Sequence, residues 1–86
     1  MSKIEIYTKN ICVFCDRAKN FFQHRNLSYV EYNIDENTEE LKTMLKRSNG
    51  QKKLPQIFID DYHVGGFDKL IELQSRGQLN NILKLR

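Results

Sequence analysis

Residues that break or crosslink a chain are scarce in this sequence. Its 86 residues include one proline, four glycines, two cysteines and no tryptophan. With a single proline, Pro55, and no internal repeat, the chain has no proline-rich linker or low-complexity segment that would separate two domains. We therefore expect a single domain over residues 1–86, long enough to fold around one modest core without crosslinks.

Long apolar runs are also missing. No segment approaches the roughly 20 apolar residues that cross a bilayer, and residues 1–5 lack the apolar stretch of a signal peptide. We therefore expect a cytoplasmic protein without membrane contacts. The net charge is +3, but the basic residues are spread along the chain and no nucleic-acid motif accompanies them. A nucleic-acid partner is therefore not expected.

The pattern of apolar residues predicts strands and helices in alternation. Strand-forming segments lie at 4–8, 28–34, 56–59 and 62–64. Apolar residues three and four apart predict the helices, which lie at 13–25, from the N-cap Asn37 to Asn49, from Asp68 to Gly77, and after Gly77. In the last helix the residues expected to face inward are Leu79, Ile82, Leu83 and Leu85.

The order of these elements, βαβαββα with a C-terminal helix, predicts an α/β fold. A helix joins the first two strands, which favours a parallel pair with a right-handed crossover. Asp60-Asp61 is a short turn between the last two strands, which makes them an antiparallel hairpin. We expect a mixed four-stranded β-sheet with helices on both faces.

The two cysteines form one C-x-x-C motif, Cys12-Val13-Phe14-Cys15, between the first strand and the first helix. In a reducing cytosol such a pair is more often catalytic or metal-binding than structural. Unpaired N–H groups and the macrodipole at a helix N-terminus stabilise a thiolate, so Cys12 is expected to be the nucleophile. Cys15 lies one turn further on the same side of the helix, where it can act as the resolving thiol. The loop follows the carboxyl end of a strand, which exposes Cys12 to substrate.

Two other interpretations of the pair are weaker. The cysteines could be small buried hydrophobic residues, but their spacing and their place between a strand and a helix argue against this. They could also be half of a structural zinc site, which needs four ligands. The only other obvious candidates, His24 and His63, have no ligand-like spacing. We expect both histidines to be surface or structural residues, and we expect no bound metal.

Three further segments, together with this motif, give the chain a resemblance to a known family. They are Tyr7-Thr8-Lys9, Leu54-Pro55-Gln56-Ile57-Phe58-Ile59 and Gly65-Gly66-Phe67-Asp68. Over essentially its whole length the chain resembles the small dithiol (class I) glutaredoxins. The resemblance implies a thioredoxin-like fold and a glutathione-dependent thiol–disulfide oxidoreductase in which Cys12–Cys15 is the redox-active disulfide.

The resemblance also implies a glutathione-binding groove beside the cysteines. Pro55 would be cis and face them, and Leu54 would offer its backbone N–H and C=O to the cysteinyl part of glutathione. Backbone amides at the start of the third helix would suit the γ-glutamyl carboxylate, and Asp68 its ammonium group. Lysines would face the glycyl carboxylate. The implied set is Lys9, Cys12, Phe14, Lys53 (or Lys52), Leu54, Pro55, Gly66, Phe67 and Asp68.

The sequence departs from the family pattern at three places. The proline that usually follows the first cysteine is Val13, so the helix start loses a rigid residue. The usual tyrosine is Phe14, which keeps the aromatic wall without the hydroxyl. The usual Thr-Val before the proline is Lys53-Leu54, which makes the groove more basic. None of these changes removes a reacting atom.

The implied activity is reduction of protein–glutathione mixed disulfides and of protein disulfides by thiol–disulfide exchange. Glutathione would be the co-substrate, and glutathione reductase an indirect partner that regenerates it. The chain would act as a monomer. Consistent with electrons that arrive through glutathione, the sequence has no Gly-rich phosphate fingerprint for a nicotinamide or flavin.

Two alternatives stay open. A glutaredoxin-like redoxin reduced by thioredoxin reductase often carries valine after the first cysteine, as here, but Gly65-Gly66-Phe67-Asp68 favours glutathione. A carrier of a [2Fe–2S] cluster, held by Cys12 and glutathione in two chains, is sterically easier without proline at position 13. However, the specialised members of that class have serine where this chain has Cys15.

Overall fold

The computed structural model describes residues 2–84, and within them the predicted order of elements is confirmed. The strands are β1 (Ile4–Thr8), β2 (Val30–Asn33), β3 (Gln56–Ile59) and β4 (Tyr62–Gly65). The helices are α1 (Val13–His24), α2 (Thr38–Arg47), α3 (Phe67–Ser75) and α4 (Leu79–Leu83). No helix in this part of the chain is long and apolar enough to cross a membrane.

The four strands form one mixed sheet in the order β2-β1-β3-β4. The pair β1–β2 is parallel, as the helix between them predicts, while β1–β3 and β3–β4 are antiparallel. Asp60 and Asp61 both have positive φ, at 49° and 67°. Positive φ at both central residues is the geometry of a two-residue type I′ hairpin turn. The predicted α/β sheet topology is therefore confirmed.

Helices cover both faces of the sheet, because alternate residues of the central strands are apolar on both sides. On one face, Ile6 and Ile57 pack in the main core with α1 and α3, which contribute Phe22 and Leu70. On the other face, a second cluster is formed by Tyr7 and Phe58 with Met44 of α2. Because α1 packs on the same sheet as β3, the start of α1, with Cys12 as its N-cap, is held in a fixed position relative to β3.

A few boundaries differ from the sequence prediction. β2 is shorter than 28–34, because only Val30–Asn33 pairs with β1. α1 ends at His24, and α3 begins at Phe67 rather than at Asp68, because Gly66 already serves as its N-cap. In α4, Leu79 and Leu83 are buried as predicted, whereas Leu85 lies outside the described residues.

Candidate active site

Cys12 is the N-cap of α1. Its backbone is extended (φ −156°, ψ 102°), and its Sγ accepts a hydrogen bond from the Cys15 N–H at 3.1 Å. Its carbonyl accepts from the Asp16 N–H at 3.1 Å, which closes the first helical turn. A sulfur atom therefore occupies the place that a serine or aspartate oxygen usually takes at a helix start. The same N–H groups that cap the helix are available to stabilise negative charge on this sulfur.

Cys12 and Cys15 are joined in a disulfide, with their Cα atoms 5.2 Å apart. The two sulfurs differ in access. Cys15 is buried under the start of α1 at 1% exposure, whereas Cys12 is partly exposed. A nucleophile from solvent or substrate can thus approach the sulfur of Cys12, and the sulfur of Cys15 is reached only from within the protein.

Pro55 stands at the entrance of β3 and is fully buried. The Leu54–Pro55 peptide bond is cis, as the resemblance predicts. This proline forms the floor of a small cleft, about 90 Å³ in volume, next to the start of α1. The cleft is lined by Phe14, Lys53, Leu54, Pro55, Phe67 and Asp68. The structure therefore brings together six residues that the sequence resemblance assigned to one groove.

The aromatic walls of the cleft come from α1 and α3. The rings of Phe14 and Phe67 lie 6.0 Å apart at an interplanar angle of 30°. Phe14 remains half exposed even so. The two rings therefore give the cleft an accessible aromatic wall against which an apolar part of a ligand or partner can pack.

Gly65 and Gly66 lead the chain from β4 into α3, and Gly66 passes beside Pro55. A Cβ on Gly66 would lie 3.0 Å from Asp68 Oδ1 and 3.6 Å from the Pro55 carbonyl oxygen. Gly65 has φ +107°, a conformation that residues with a side chain rarely adopt. The N-terminus of α3, which has no side-chain cap, therefore lies at the cleft, where Phe67 and Asp68 form part of the lining.

Charges of both signs stand at the rim of the cleft. Lys53 Nζ lies 4.0 Å from Asp68 Oδ1, and both side chains are largely exposed. Such a pair contributes little to stability, so both groups are free to exchange partners with a charged ligand. Lys9 is exposed in the loop after β1 and, like Cys12, Lys52 and Gly66, is not part of the cleft lining.

Sequence reasoning treated Gln56 as an ordinary strand residue and His63 as a surface or structural one. In the structure, Gln56 is 1% exposed and its side chain hydrogen-bonds both His63 and the Lys53 carbonyl, next to the cleft. The sequence gives one indication that Gln56 is buried, because it is the only polar residue of β3, whose other residues are Ile57, Phe58 and Ile59. Within residues 2–84, no group of three His, Cys, Asp or Glu side chains is arranged to hold a metal.

Comparison with known proteins agrees with this geometry. Residues 4–64 match the family model described as glutaredoxin. Glutaredoxin 3 of Escherichia coli is 45% identical over 84 residues, covering 98% of this chain and all of that protein. A probable glutaredoxin of Synechocystis is 44% identical over 82 residues, covering 95% and 93% of the two chains.

A similar fold is seen in a solved structure of a buckwheat glutaredoxin–glutathione complex. Its TM-score to this chain is 0.84 at 26% identity, covering 96% of this chain and 77% of that one. The family model, the relatives and the sheet topology all point the same way, and a C-x-x-C pair lies at the start of α1. The chain belongs to the glutaredoxin family of thiol–disulfide oxidoreductases.

Proposed function

We propose that the protein reduces protein–glutathione mixed disulfides and protein disulfides with glutathione as its co-substrate. The observation that carries this proposal is the cleft beside the Cys12–Cys15 pair, which has an aromatic wall and one charge of each sign at its rim. Glutathione is an extended tripeptide with two carboxylates and one ammonium group. Its charges therefore match a site that offers both a cation and an anion.

The proposed pose uses backbone groups in the middle of the ligand and charges at its ends. The cysteinyl part pairs with the backbone of Leu54, as a short strand would. The γ-glutamyl carboxylate meets the free N–H groups at the start of α3, and its ammonium group meets Asp68. Lys53 leaves its contact with Asp68 and, together with Lys9 from the loop before Cys12, faces the glycyl carboxylate. In this pose the glutathione sulfur is directed at Cys12.

With a glutathionylated protein, the Cys12 thiolate attacks the glutathione sulfur. A Cys12–glutathione disulfide forms, the bond to the protein sulfur breaks, and the released protein thiolate takes up a proton. The thiolate of a second glutathione then attacks the bound glutathione sulfur. This step releases glutathione disulfide and restores the Cys12 thiolate.

With a protein disulfide, Cys12 first forms a mixed disulfide with one of the two protein sulfurs. The thiolate of Cys15 then attacks the Cys12 sulfur, which frees the second protein thiol and leaves the Cys12–Cys15 disulfide. Two glutathiones reduce this disulfide and leave as glutathione disulfide. The buried position of Cys15 suits this role, because it reaches only the sulfur of Cys12.

The test is turnover of a glutathionylated peptide with glutathione, glutathione reductase and NADPH, compared with turnover when thioredoxin reductase and NADPH replace them. We expect turnover only in the first system. The variant Cys15→Ser should retain most of the activity on the glutathionylated peptide and lose nearly all activity on a protein disulfide. Turnover supported by thioredoxin reductase alone would overturn the proposal in favour of a glutaredoxin-like redoxin.

A further inference from the structure

Gln56 follows the cis proline and has a buried side-chain amide with a partner on each side. Its Nε2 donates to the Lys53 carbonyl oxygen at 2.7 Å and, more weakly, to Gln51 Oε1 at 3.4 Å, and its Oε1 faces His63 Nε2 at 2.7 Å. The amide thus bridges β4 and the loop that forms one wall of the cleft. A buried amide whose two ends are both bonded has a single favourable orientation.

The partners also determine which nitrogen of His63 carries a proton. The Lys53 carbonyl can only accept, so it must face the amide NH₂, which leaves the amide oxygen for His63. His63 Nε2 must therefore be the donor. Burial, with the positive charge of Arg47, lowers the pKa of His63, so the neutral ring with the proton on Nε2 predominates at pH 7. The ring is held in place by stacking on Phe58, with centroids 4.8 Å apart.

The bond to Lys53 fixes the plane of the Lys53–Leu54 peptide. In a trans peptide the C=O and the N–H point in opposite directions, so a carbonyl held by Gln56 turns the Leu54 N–H away from Gln56. Among residues 2–84, no group accepts a hydrogen bond from the Leu54 N–H. This donor is therefore left available beside the cleft, where the proposed function pairs it with glutathione.

We propose that Gln56 and His63 are positioning residues that select glutathione over other small thiols by orienting the Leu54 N–H. This inference rests on the proposed function, because it names the side chains that make the cleft specific for a ligand with a peptide group. Neither side chain touches the reacting sulfurs. Their effect is therefore limited to ligands that carry a peptide backbone.

The test is a ratio of two exchange equilibria, measured in the Cys15→Ser background so that only Cys12 reacts. In one, the Cys12 thiolate attacks glutathione disulfide, forming Cys12–glutathione and releasing one glutathione. In the other, it attacks hydroxyethyl disulfide, forming Cys12–mercaptoethanol and releasing one mercaptoethanol. Mercaptoethanol has no peptide group. Acid quenching followed by mass spectrometry gives both equilibrium constants, and their ratio cancels any change in the thiol itself.

Gln56→Met keeps the approximate size of the side chain and adds no charge, but removes the donor to the Lys53 carbonyl and to Gln51 Oε1. We expect it to lower the glutathione-to-mercaptoethanol ratio roughly 3- to 10-fold, as loss of the hydrogen bond that orients Leu54 would. His63→Leu should lower the ratio less, because it frees the amide to rotate. His63→Gln should restore it, since an amide N–H replaces the imidazole donor. Gln74→Met, the same change on the exposed side of α3, is the matched control and should leave the ratio unchanged.

The outcomes separate the two proposals. A parent protein with a ratio near that of a free thiol would overturn the proposed function, because the cleft would then not recognise glutathione. A high ratio in the parent that Gln56→Met leaves unchanged would overturn the positioning role alone. Equal losses with both disulfides would also overturn it, because they would indicate damage to the fold or to Cys12. Circular dichroism of each variant monitors folding.

Discussion

Helices α1 and α2 begin in nearly the same way and are used for different purposes. Each has an N-cap with extended backbone whose side chain accepts a backbone N–H, Cys12 from Cys15 and Asn37 from Glu39. At α2, an amide oxygen and the carboxylates of Glu39 and Glu40 satisfy the positive end of the helix. At α1 the capping atom is a sulfur that is partly exposed. The same helix-end electrostatics thus stabilises the fold at α2 and a reactive group at α1.

The far end of α2 continues this contrast. Arg47 donates to the Tyr7 hydroxyl at 2.9 Å and to Glu5 Oε1 at 3.0 Å, and its guanidinium lies 4.0 Å from the centre of the Phe58 ring. Glu5 also accepts from the Tyr32 hydroxyl. No buried side-chain N or O atom within the described residues lacks a partner. The charge of Arg47 at the end of α2 is therefore held by bonds inside the protein, whereas the cleft beside α1 keeps its charges at the surface.

The largest expected effect comes from Cys12→Ser. Serine is a good N-cap, so the variant should keep α1 and change the unfolding free energy of the reduced protein by less than about 0.5 kcal/mol. Turnover of a glutathionylated peptide should fall by at least about 10³-fold, because the nucleophile is gone. Urea unfolding under reducing conditions and the coupled assay give the two numbers. If the variant kept more than about 1% of the parent's turnover, the role given to Cys12 would be contradicted.

Arg47→Met should show the reverse pattern. It removes the guanidinium that hydrogen-bonds the buried Glu5 carboxylate and leaves only the exposed Lys3, at 3.9 Å, as a cation near Glu5 in residues 2–84, which we expect to cost up to about 3 kcal/mol of unfolding free energy. Turnover per folded molecule should be unchanged, since Arg47 is not part of the cleft lining. The double variant Glu5→Gln/Arg47→Met should be more stable than additivity predicts, because the unpaired charge is then absent. Additive losses in urea unfolding would instead indicate that the two side chains act independently.

The contrast between the two helices also explains what the sequence could predict. Local patterns were sufficient for the order of elements along the chain, for the parallel first pair and the antiparallel last hairpin, for Cys12 and Asn37 as helix starts, and for the Asp60-Asp61 turn. The position of β1 between β2 and β3 was not predicted. The resemblance supplied the cis bond before Pro55, which no local pattern indicates. The bonds of Arg47 to Glu5 and of Gln56 to His63 were not predicted. Glu5 and Arg47 are 42 residues apart in sequence, and Gln56 and His63 lie on neighbouring strands, so both pairs are known only once the elements have packed and the strand register is fixed.

Asn37→Ala tests the side-chain cap at the start of α2. It removes the acceptor for the Glu39 N–H, which lies 3.0 Å from Asn37 Oδ1, and should lower the unfolding free energy by about 1 kcal/mol. Turnover should not change. Thermal and urea unfolding measure the loss, and Asn37→Ser, which keeps a capping oxygen, is the matched control that should recover most of it. Equal losses in the two variants would mean that the cap bond contributes little.

The smallest expected effect is the contribution of Glu5 to the pH dependence of the unfolding free energy. Burial alone would raise the pKa of Glu5, but hydrogen bonds from Arg47 and Tyr32 and the charges of Arg47 and Lys3 outweigh it and leave the pKa below its ordinary value of 4.5. A lowered pKa in the folded state stabilises the protein above pH 4.5, and this stabilisation is lost as the pH falls through the folded-state pKa.

The parent protein and Glu5→Gln should therefore differ most in unfolding free energy near pH 7, and the difference should shrink towards pH 3. Comparison with Glu5→Gln is needed because burial also lowers the pKa of His63. A lowered histidine pKa removes stability as the pH falls below about 6.5, but this contribution is common to both proteins and cancels. We expect a small change because burial and the hydrogen bonds oppose each other at Glu5. A difference that is constant across the pH range would mean that Glu5 contributes by packing and hydrogen bonding alone, independently of its charge.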